Sequence, residues 1–256
     1  MTTPESLSDR PVIVLSAHLG DAAFSCGYFL SQVSAVAPVT VMTLFTHGLH
    51  GTPTRTARAY LAKRNARQAP TLYNQRRTED LLALRSINVT GIHFGLPDAL
   101  FRGRPDRQVP KPVTTVVPEL GVIYPTYRRH IMGGVVSALD EPLLDELAQR
   151  VLLASSEDSV ILAPLGLSGH VDRVLANQLG WQLARERTVG YYADQPDAQK
   201  LEGHFPVPAG LEQVKFDVDQ HSKAGLLERY STHTRAELGR RIPALDEYVY
   251  LPSGTS

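Results

Sequence analysis

Val12-Ile13-Val14-Leu15, running into Ser16-Ala17-His18-Leu19-Gly20-Asp21, is the stretch whose reading decides the fold. An unbroken, mostly β-branched apolar run reads as a strand buried on both faces, the habit of parallel sheets. A helical period follows at once, because Ala22, Cys26, Phe29 or Leu30, and Val33 share one face. Pro38 breaks the chain, and Val39 to Phe45 is a second buried run. Strand, helix and strand make a βαβ unit, expected to be right-handed.

The alternation continues along the chain. Gln75 to Ser86 is expected to be helical, with Leu81, Leu82 and Arg85 on its half-buried face, and Gly91 to Phe94 a short strand. Glu141 to Ala154 is amphipathic through Leu143, Leu144, Leu147 and Val151. Ser159 to Ala163 reads as a strand, Val171 to Arg185 as a helix through Val174, Leu175, Gln178 and Leu179, and Thr188 to Tyr192 as a further strand. The pattern predicts an α/β fold: a three-layer, Rossmann-like sandwich with a mostly parallel central sheet, one domain over 1–256. Two stretches, 46–74 and 97–135, are rich in Pro, Gly, Arg and Thr and read as long loops. Both follow strands, so they should gather at the carboxyl edge of the sheet, where open α/β sheets bind ligands.

Composition narrows the function classes. Of 256 residues, 43% are hydrophobic and 20% charged, which is globular rather than disordered. Lys plus Arg and Asp plus Glu are 26 each, so no overall basic field exists to draw nucleic acid. Cys26 is the single cysteine, so no intrachain disulfide forms, and a reducing cytoplasm is favoured. The stretch from 1 to 10 is polar and lacks the charged and apolar regions of a signal peptide. The apolar runs fall far short of the ~20 residues of a membrane helix. The expectation is a cytoplasmic protein whose partner is a small molecule, not a nucleic acid or a membrane. There is no G-x-G-x-x-G, no P-loop and no nucleophile elbow, since Gly166-Leu167-Ser168-Gly169 has the wrong spacing.

Three segments that follow strands could carry chemistry: His18 to Asp21, Thr46-His47-Gly48, and Gly169-His170-Val171-Asp172-Arg173. The first and third should face each other across the sheet edge. His nitrogens and carboxylate oxygens serve equally as zinc ligands and as acid/base groups. Plainer readings stay open: Asp21 as a helix cap, and His170 with Asp172 as an ordinary surface pair. Residues 51–78 hold Arg55, Arg58, Lys63, Arg64, Arg67, Arg76 and Arg77 without an acid, and Arg102, Arg104, Arg107, Lys111, Arg128 and Arg129 add to them. They read either as a solvated surface or as a basic cover over an anionic small molecule.

The chain resembles the PIG-L/LmbE-like family of zinc-dependent N-deacetylases and amidases. The family's first motif, A-H-P-D-D-E followed by small-Cys-Gly, is matched by Ala17-His18-Leu19-Gly20-Asp21-Ala22 and Ser25-Cys26-Gly27. Its T-x-G is matched by Thr46-His47-Gly48, and its R-x-x-E by Arg76-Arg77-Thr78-Glu79. G-L-P-D is Gly95-Leu96-Pro97-Asp98, and the last motif, G-H-P-D-H, is Gly169 to Arg173. The resemblance spans roughly residues 11 to 195 with the motifs in family order.

The resemblance implies a site and shows where this chain departs from it. The family's zinc ligands fall on His18, Asp21 and Arg173, so the third is an arginine, which has no lone pair for a metal. The family's general base falls on Gly20. Zinc is therefore not favoured as a cofactor; binding it through the vestigial pair His18 and Asp21 would need a further ligand from His170, His47 or another loop group. The guanidinium of Arg173 is expected to pair with Asp21 where the cation would sit. The resemblance gives His170 a role as acid or oxyanion stabiliser and Asp172 a role in orienting it. His170, Asp172 and His18 are thus the expected catalytic residues, with Arg76, His47 and Arg173 binding substrate. The expected function is a divergent deacetylase- or amidase-type hydrolase of a small polar N-acylated molecule, such as an amino sugar derivative, working by a metal-independent or altered route. The alternative is a non-catalytic binder of a ligand or partner with the same fold. Cys26 is expected to pack, Lys223 to Ser231 to help wall the pocket, and His221 and His233 to lie at the surface.

Overall fold

A computed structural model describes residues 3–106, 109–239 and 241–253; Arg107, counted above among the loop arginines, lies outside them. Its elements in chain order are β1 (Val12–His18), α1 (Asp21–Val33), β2 (Val39–His47), α2 (Arg55–Lys63), α3 (Ala69–Ser86), β3 (Thr90–Pro97) and α4 (Lys111–Val116). There follow α5 (Pro142–Leu153), β4 (Val160–Pro164), α6 (Val171–Leu183), β5 (Thr188–Tyr192), α7 (Asp197–Lys200), β6 (Leu211–Gln213), α8 (Gln220–Leu227), α9 (Ser231–Glu237) and β7 (Val249–Pro252).

The seven strands form one sheet in the order β3-β2-β1-β4-β5-β7-β6. The first five are parallel, and β7 and β6 complete the far side antiparallel. Every residue of β1 is buried, which is why its sequence is an unbroken apolar run. Val12 pairs with Val39 on one side and Val160 on the other. One face of the sheet packs Ile13, Leu15, Ile161 and Ala163 under α5 and α6. The other packs Val12, Val14, Val160 and Leu162 under α1. This is the expected three-layer α/β architecture. The chain winds outward from β1 to β3 and then returns to lay β4 beside β1. That reversal is a topological switch point, where the loops leaving β1 and β4 diverge and open a crevice.

The expected elements all appear, most of them within a few residues of their expected bounds, but on α3 the face expected to be half-buried, Leu81, Leu82 and Arg85, is exposed, and Ala83 and Leu84 pack instead. The loop expected at 46–74 is corrected: it contains α2 and the first turn of α3. Thr54 caps α2 by accepting a hydrogen bond from Ala57 N at 3.1 Å, while Ala57 and Leu61 bury its inner face. Its arginines, all on the outer side of so short an apolar stripe, hide that period in the sequence. Pro70 stands in the first turn of α3, where a missing N–H costs nothing. The 97–135 segment is largely irregular, with α4, a 3-10 turn at Pro118–Gly121 and a π turn at Tyr127–Ile131. Among the described residues, no helix is long and apolar enough to cross a membrane.

Cys26 is buried and marks a break inside α1, at φ −144° and ψ 23°. The amides of Tyr28 and Phe29, released by that break, both donate to the Glu247 carboxylate at 2.8 Å. Lys223 lies 2.8 Å from the same carboxylate and balances its charge in the core. Cys26 thus packs, as expected.

Gly180 lets α6 lie directly on the sheet, since a Cβ there would stand 2.5 Å from the Ala163 Cβ. Gly180→Ala should therefore lose about 1–3 kcal/mol in urea unfolding through overpacking. Gly225→Ala, in α8 with open space around it, should be neutral or gain up to about 1 kcal/mol. Equal effects at the two sites would contradict this packing.

Candidate active site

The switch-point crevice is a cavity of about 670 Å³. His18, the last residue of β1, and His170, at the N-cap of α6, stand on its two sides with ring centroids 4.7 Å apart and planes at 84°. The first and third motifs thus meet across the sheet edge as expected.

His18 is held between two carboxylates. Its Nδ1 lies 3.1 Å from Asp21 Oδ2 and its Nε2 3.0 Å from Asp172 Oδ2. Burial alone would lower the His18 pKa, but the hydrogen bonds and charges of Asp172 and Asp21 override it and hold it at about 10. The ring is therefore an imidazolium at neutral pH, donating from both nitrogens.

Asp172 is fully buried and also accepts from Ala99 N at 2.9 Å and from the Arg102 guanidinium. Burial opposes its charge, but Arg102 and His18 keep it well below the usual carboxylate range. Arg102 bonds Asp140 with its other amino group and stacks over Phe45 at 4.3 Å. It therefore belongs to the interior, not to the basic rim.

The expected pairing of Asp172 with the His170 ring is corrected: among the described residues the carboxylate of Asp172 bonds His18, and only its backbone N–H reaches His170 Nδ1, at 3.2 Å. The reason is the helix start, where a side chain at the N-cap accepts from the amide two residues on. An amide can only donate, so Nδ1 is bare and the neutral ring carries its proton on Nε2. Burial, with His18 and Arg173 nearby, pushes the His170 pKa down to about 4. His170 is thus a neutral N–H donor beside the cavity it lines.

Arg173 pairs with Asp21 as expected: Nη2 donates to Oδ1 at 2.9 Å and Nε to Oδ2 at 3.2 Å. Its other amino group bonds Asp197 at 3.0 Å. Gly20 takes φ +94°, where a side chain would be strained, and a Cβ there would press on the Tyr230 ring at 3.2 Å. Arg76 lines the cavity, bonded to Tyr60 Oη, Leu19 O at 2.9 Å and His233 Nδ1 at 3.0 Å. His47 does not line it; the carbonyl of His47 instead accepts from Asp98 N at 2.9 Å. The two uses of a β-strand residue are separate here: the backbone serves the site and the side chain leans toward Gly95.

Sequence reasoning underrated three residues. Asp98 was visible only as part of a motif, yet its carboxylate faces the cavity. Arg102 was visible only as one rim cation among many. His233, expected at the surface, lines the cavity against Phe24, with ring centroids 4.7 Å apart. His221 is exposed, as expected. Of the basic residues, Arg55, Lys63, Arg64 and Arg76 line the cavity, whereas Arg104 pairs with Asp106 at the surface.

Zinc does not fit the positions that the first and last motifs provide. Both oxygens of Asp21 are taken by a guanidinium and both nitrogens of His18 by carboxylates. A second group of ligand-type atoms, from His18, Asp98, His170 and Asp172, lies within 4.8 Å of one another. There too the His170 nitrogen without a proton is turned to the backbone, and Asp172 is already satisfied by Arg102 and Ala99. Purified protein equilibrated with zinc should hold far less than one ion per chain by mass spectrometry. Arg173→His, which supplies a lone pair in place of the cation, should raise that stoichiometry. A full equivalent in the wild type would contradict the fit.

The histidines also set a pH dependence. The folded pKa of His18 lies above its ordinary 6.5, so its contribution to stability is complete below pH 6.5 and is lost as pH rises toward 10. The folded pKa of His170 lies below 6.5, so its contribution is lost as pH falls toward 4. The thermal midpoint should therefore peak near neutrality, and His18→Gln should flatten the alkaline limb. An unchanged limb in that variant would remove His18 from the linkage.

No known family profile matches the chain. It is 28% identical over 177 residues to the 2'-N-acetylparomamine deacetylase of Streptomyces fradiae, covering 69% of this chain and 53% of that protein. The chain thus spans about half the length of the curated relative it matches. Among solved structures, a deacetylase of the teicoplanin biosynthesis pathway superposes with a TM-score of 0.71 at 20% identity, covering 96% of this chain and all of that one. The A40926 pseudoaglycone deacetylase Dbv21 gives 0.66 at 18% identity, covering 94% and 96% of the two chains. These structures share the fold. The relative and both structures are named as deacetylases, and this chain is similar to them.

Proposed function

We propose that the cavity hydrolyses the N-acyl group of a small polar molecule, an N-acetylated amino sugar derivative being the best fit, without zinc in the catalytic step. The observation that carries this reading is the neutral His170, whose Nε2–H stands beside a crevice at the switch point of the sheet. An N–H in a dry pocket stabilises the oxygen of an amide carbonyl as it gains charge. The similarity to a 2'-N-acetylparomamine deacetylase supports the substrate class. The fold alone does not supply it.

In this reading His18 is not a free base. Its imidazolium ties Asp21 and Asp172 together and fixes the floor of the site. Arg76, with Tyr60 and His233 beside it, offers donors to hydroxyl or anionic groups of the substrate. Lys63 and Arg64 border the same cavity and share the one Glu237 carboxylate, so a positive charge remains beside an acidic substituent on the sugar. The lone cysteine suits a reducing cytoplasm.

The test is amine release from N-acetylglucosamine and from 2'-N-acetylparomamine. The wild type should release amine from at least one, and His170→Ala should lower kcat about 10²- to 10³-fold, the usual effect of losing one oxyanion donor. An unchanged rate in that variant would take His170 out of the reaction. A rise in thermal midpoint with either ligand, but no amine from either, would instead favour a binder without catalysis.

A further inference from the structure

Gly20 leaves the reaction without the carboxylate that would activate water from the first motif. The cavity supplies another. Four carboxylates line it: Asp21, Asp98, Asp197 and Glu237. Three are spent on cations, Asp21 on Arg173, Asp197 on Arg173 and Lys200, and Glu237 on Lys63 and Arg64. Asp98, among the described residues, pairs with no lysine or arginine.

Asp98 is nevertheless fixed in place. Tyr73 Oη donates to its Oδ2 at 2.6 Å and Leu100 N to its Oδ1 at 2.9 Å. Its own amide donates to His47 O at 2.9 Å and its carbonyl accepts from Phe101 N at 2.8 Å. Two carboxylate oxygens offer about four acceptor sites, and these two hydrogen bonds leave two for the cavity. His18 Nε2 is 3.7 Å from Oδ2, already committed to Asp172, and too far to occupy them. A carboxylate oxygen of Asp98 and a ring nitrogen of His170 lie within 4.8 Å of each other. The two groups are therefore close enough to act on one bound molecule, where reacting atoms approach to about 3–3.5 Å.

We propose that Asp98 is the general base of this site, standing in from the end of β3 for the carboxylate absent at Gly20. This inference rests on the hydrolytic reading above. Water held on Asp98 attacks the amide carbon; the new C–O bond forms as one water proton passes to the Asp98 carboxylate. The carbonyl π pair moves onto oxygen and is held by His170 Nε2–H. The intermediate then collapses: the C–N bond breaks and the amine nitrogen takes the proton back from Asp98. The products are the free amine and the carboxylic acid, which ionises to solvent, and Asp98 is again a carboxylate.

The experiment uses the whole chain with 2'-N-acetylparomamine and N-acetylglucosamine. Asp98→Asn preserves the shape and the bond that Oδ1 accepts from Leu100 N, and its new amide N–H can donate to Tyr73 Oη in place of the bond accepted there. It should lower kcat about 10²- to 10⁴-fold, the usual share of a general base. KM should stay within a few-fold. Asp98→Ala should be comparably slow and should regain activity when formate is added, because a free carboxylate enters the vacated space; a merely structural residue is not rescued in this way. Retention of kcat in Asp98→Asn, or a loss in Asp98→Ala that formate does not relieve, would overturn the assignment while leaving the hydrolytic reading intact. No amine from the wild type with either compound would overturn both.

Discussion

The interaction on which the site depends is the clamp of His18 between Asp172 and Asp21. It continues in both directions as an alternating chain of charges. Asp140 bonds Arg102, Arg102 bonds Asp172, Asp172 bonds His18, His18 bonds Asp21, Asp21 bonds Arg173, and Arg173 bonds Asp197. Most of these groups are nearly or wholly buried, and an unpaired charge there would cost several kcal/mol. Each member is affordable only because its neighbours have the opposite sign. The chain stitches the ends of β1, α1 and α6 to the loop after β3, which is what keeps the crevice in one shape.

The clamp holds an organic cation at the position where the family resemblance implies a metal ligand. A divalent cation among carboxylates compensates charge and fixes geometry together. Arg173 does both with an organic cation, because a planar guanidinium meets a carboxylate edge-on through two hydrogen bonds. What remains facing the cavity is a donor, His170, and an acceptor, Asp98, held by separate elements whose positions are set by the sheet.

Much of the fold was legible in residues 12–45 because buried parallel strands must be continuously apolar, and that requirement is local. The Asp21–Arg173 pair was legible too, since a carboxylate deprived of its cation must find another. The hidden helix α2 was not, because two buried residues in an arginine-rich stretch give too little period to see. Asp172 was assigned to the wrong histidine: the family resemblance implied His170, whereas the helix start turns that ring to the backbone and leaves the carboxylate free for His18. Arg102 looked like its neighbours in a basic loop, and its bonds to buried Asp140 and Asp172 and its packing over Phe45 separate it from them.

The sequence by itself determined the layer order of the fold, the strand ends from which the site is built, and the substitution of glycine and arginine at two positions in it. These follow from periodicity and from motifs read along the chain. The tertiary structure decided which carboxylate serves which histidine, that His170 carries its proton on Nε2, that His47 faces away, and that Asp98 stands in the cavity with no lysine or arginine paired to it among the described residues. Hydrogen bonds between residues many positions apart have no signature in one dimension. They depend on where the crossover returns β4 to the side of β1, and that is fixed only when the sheet closes.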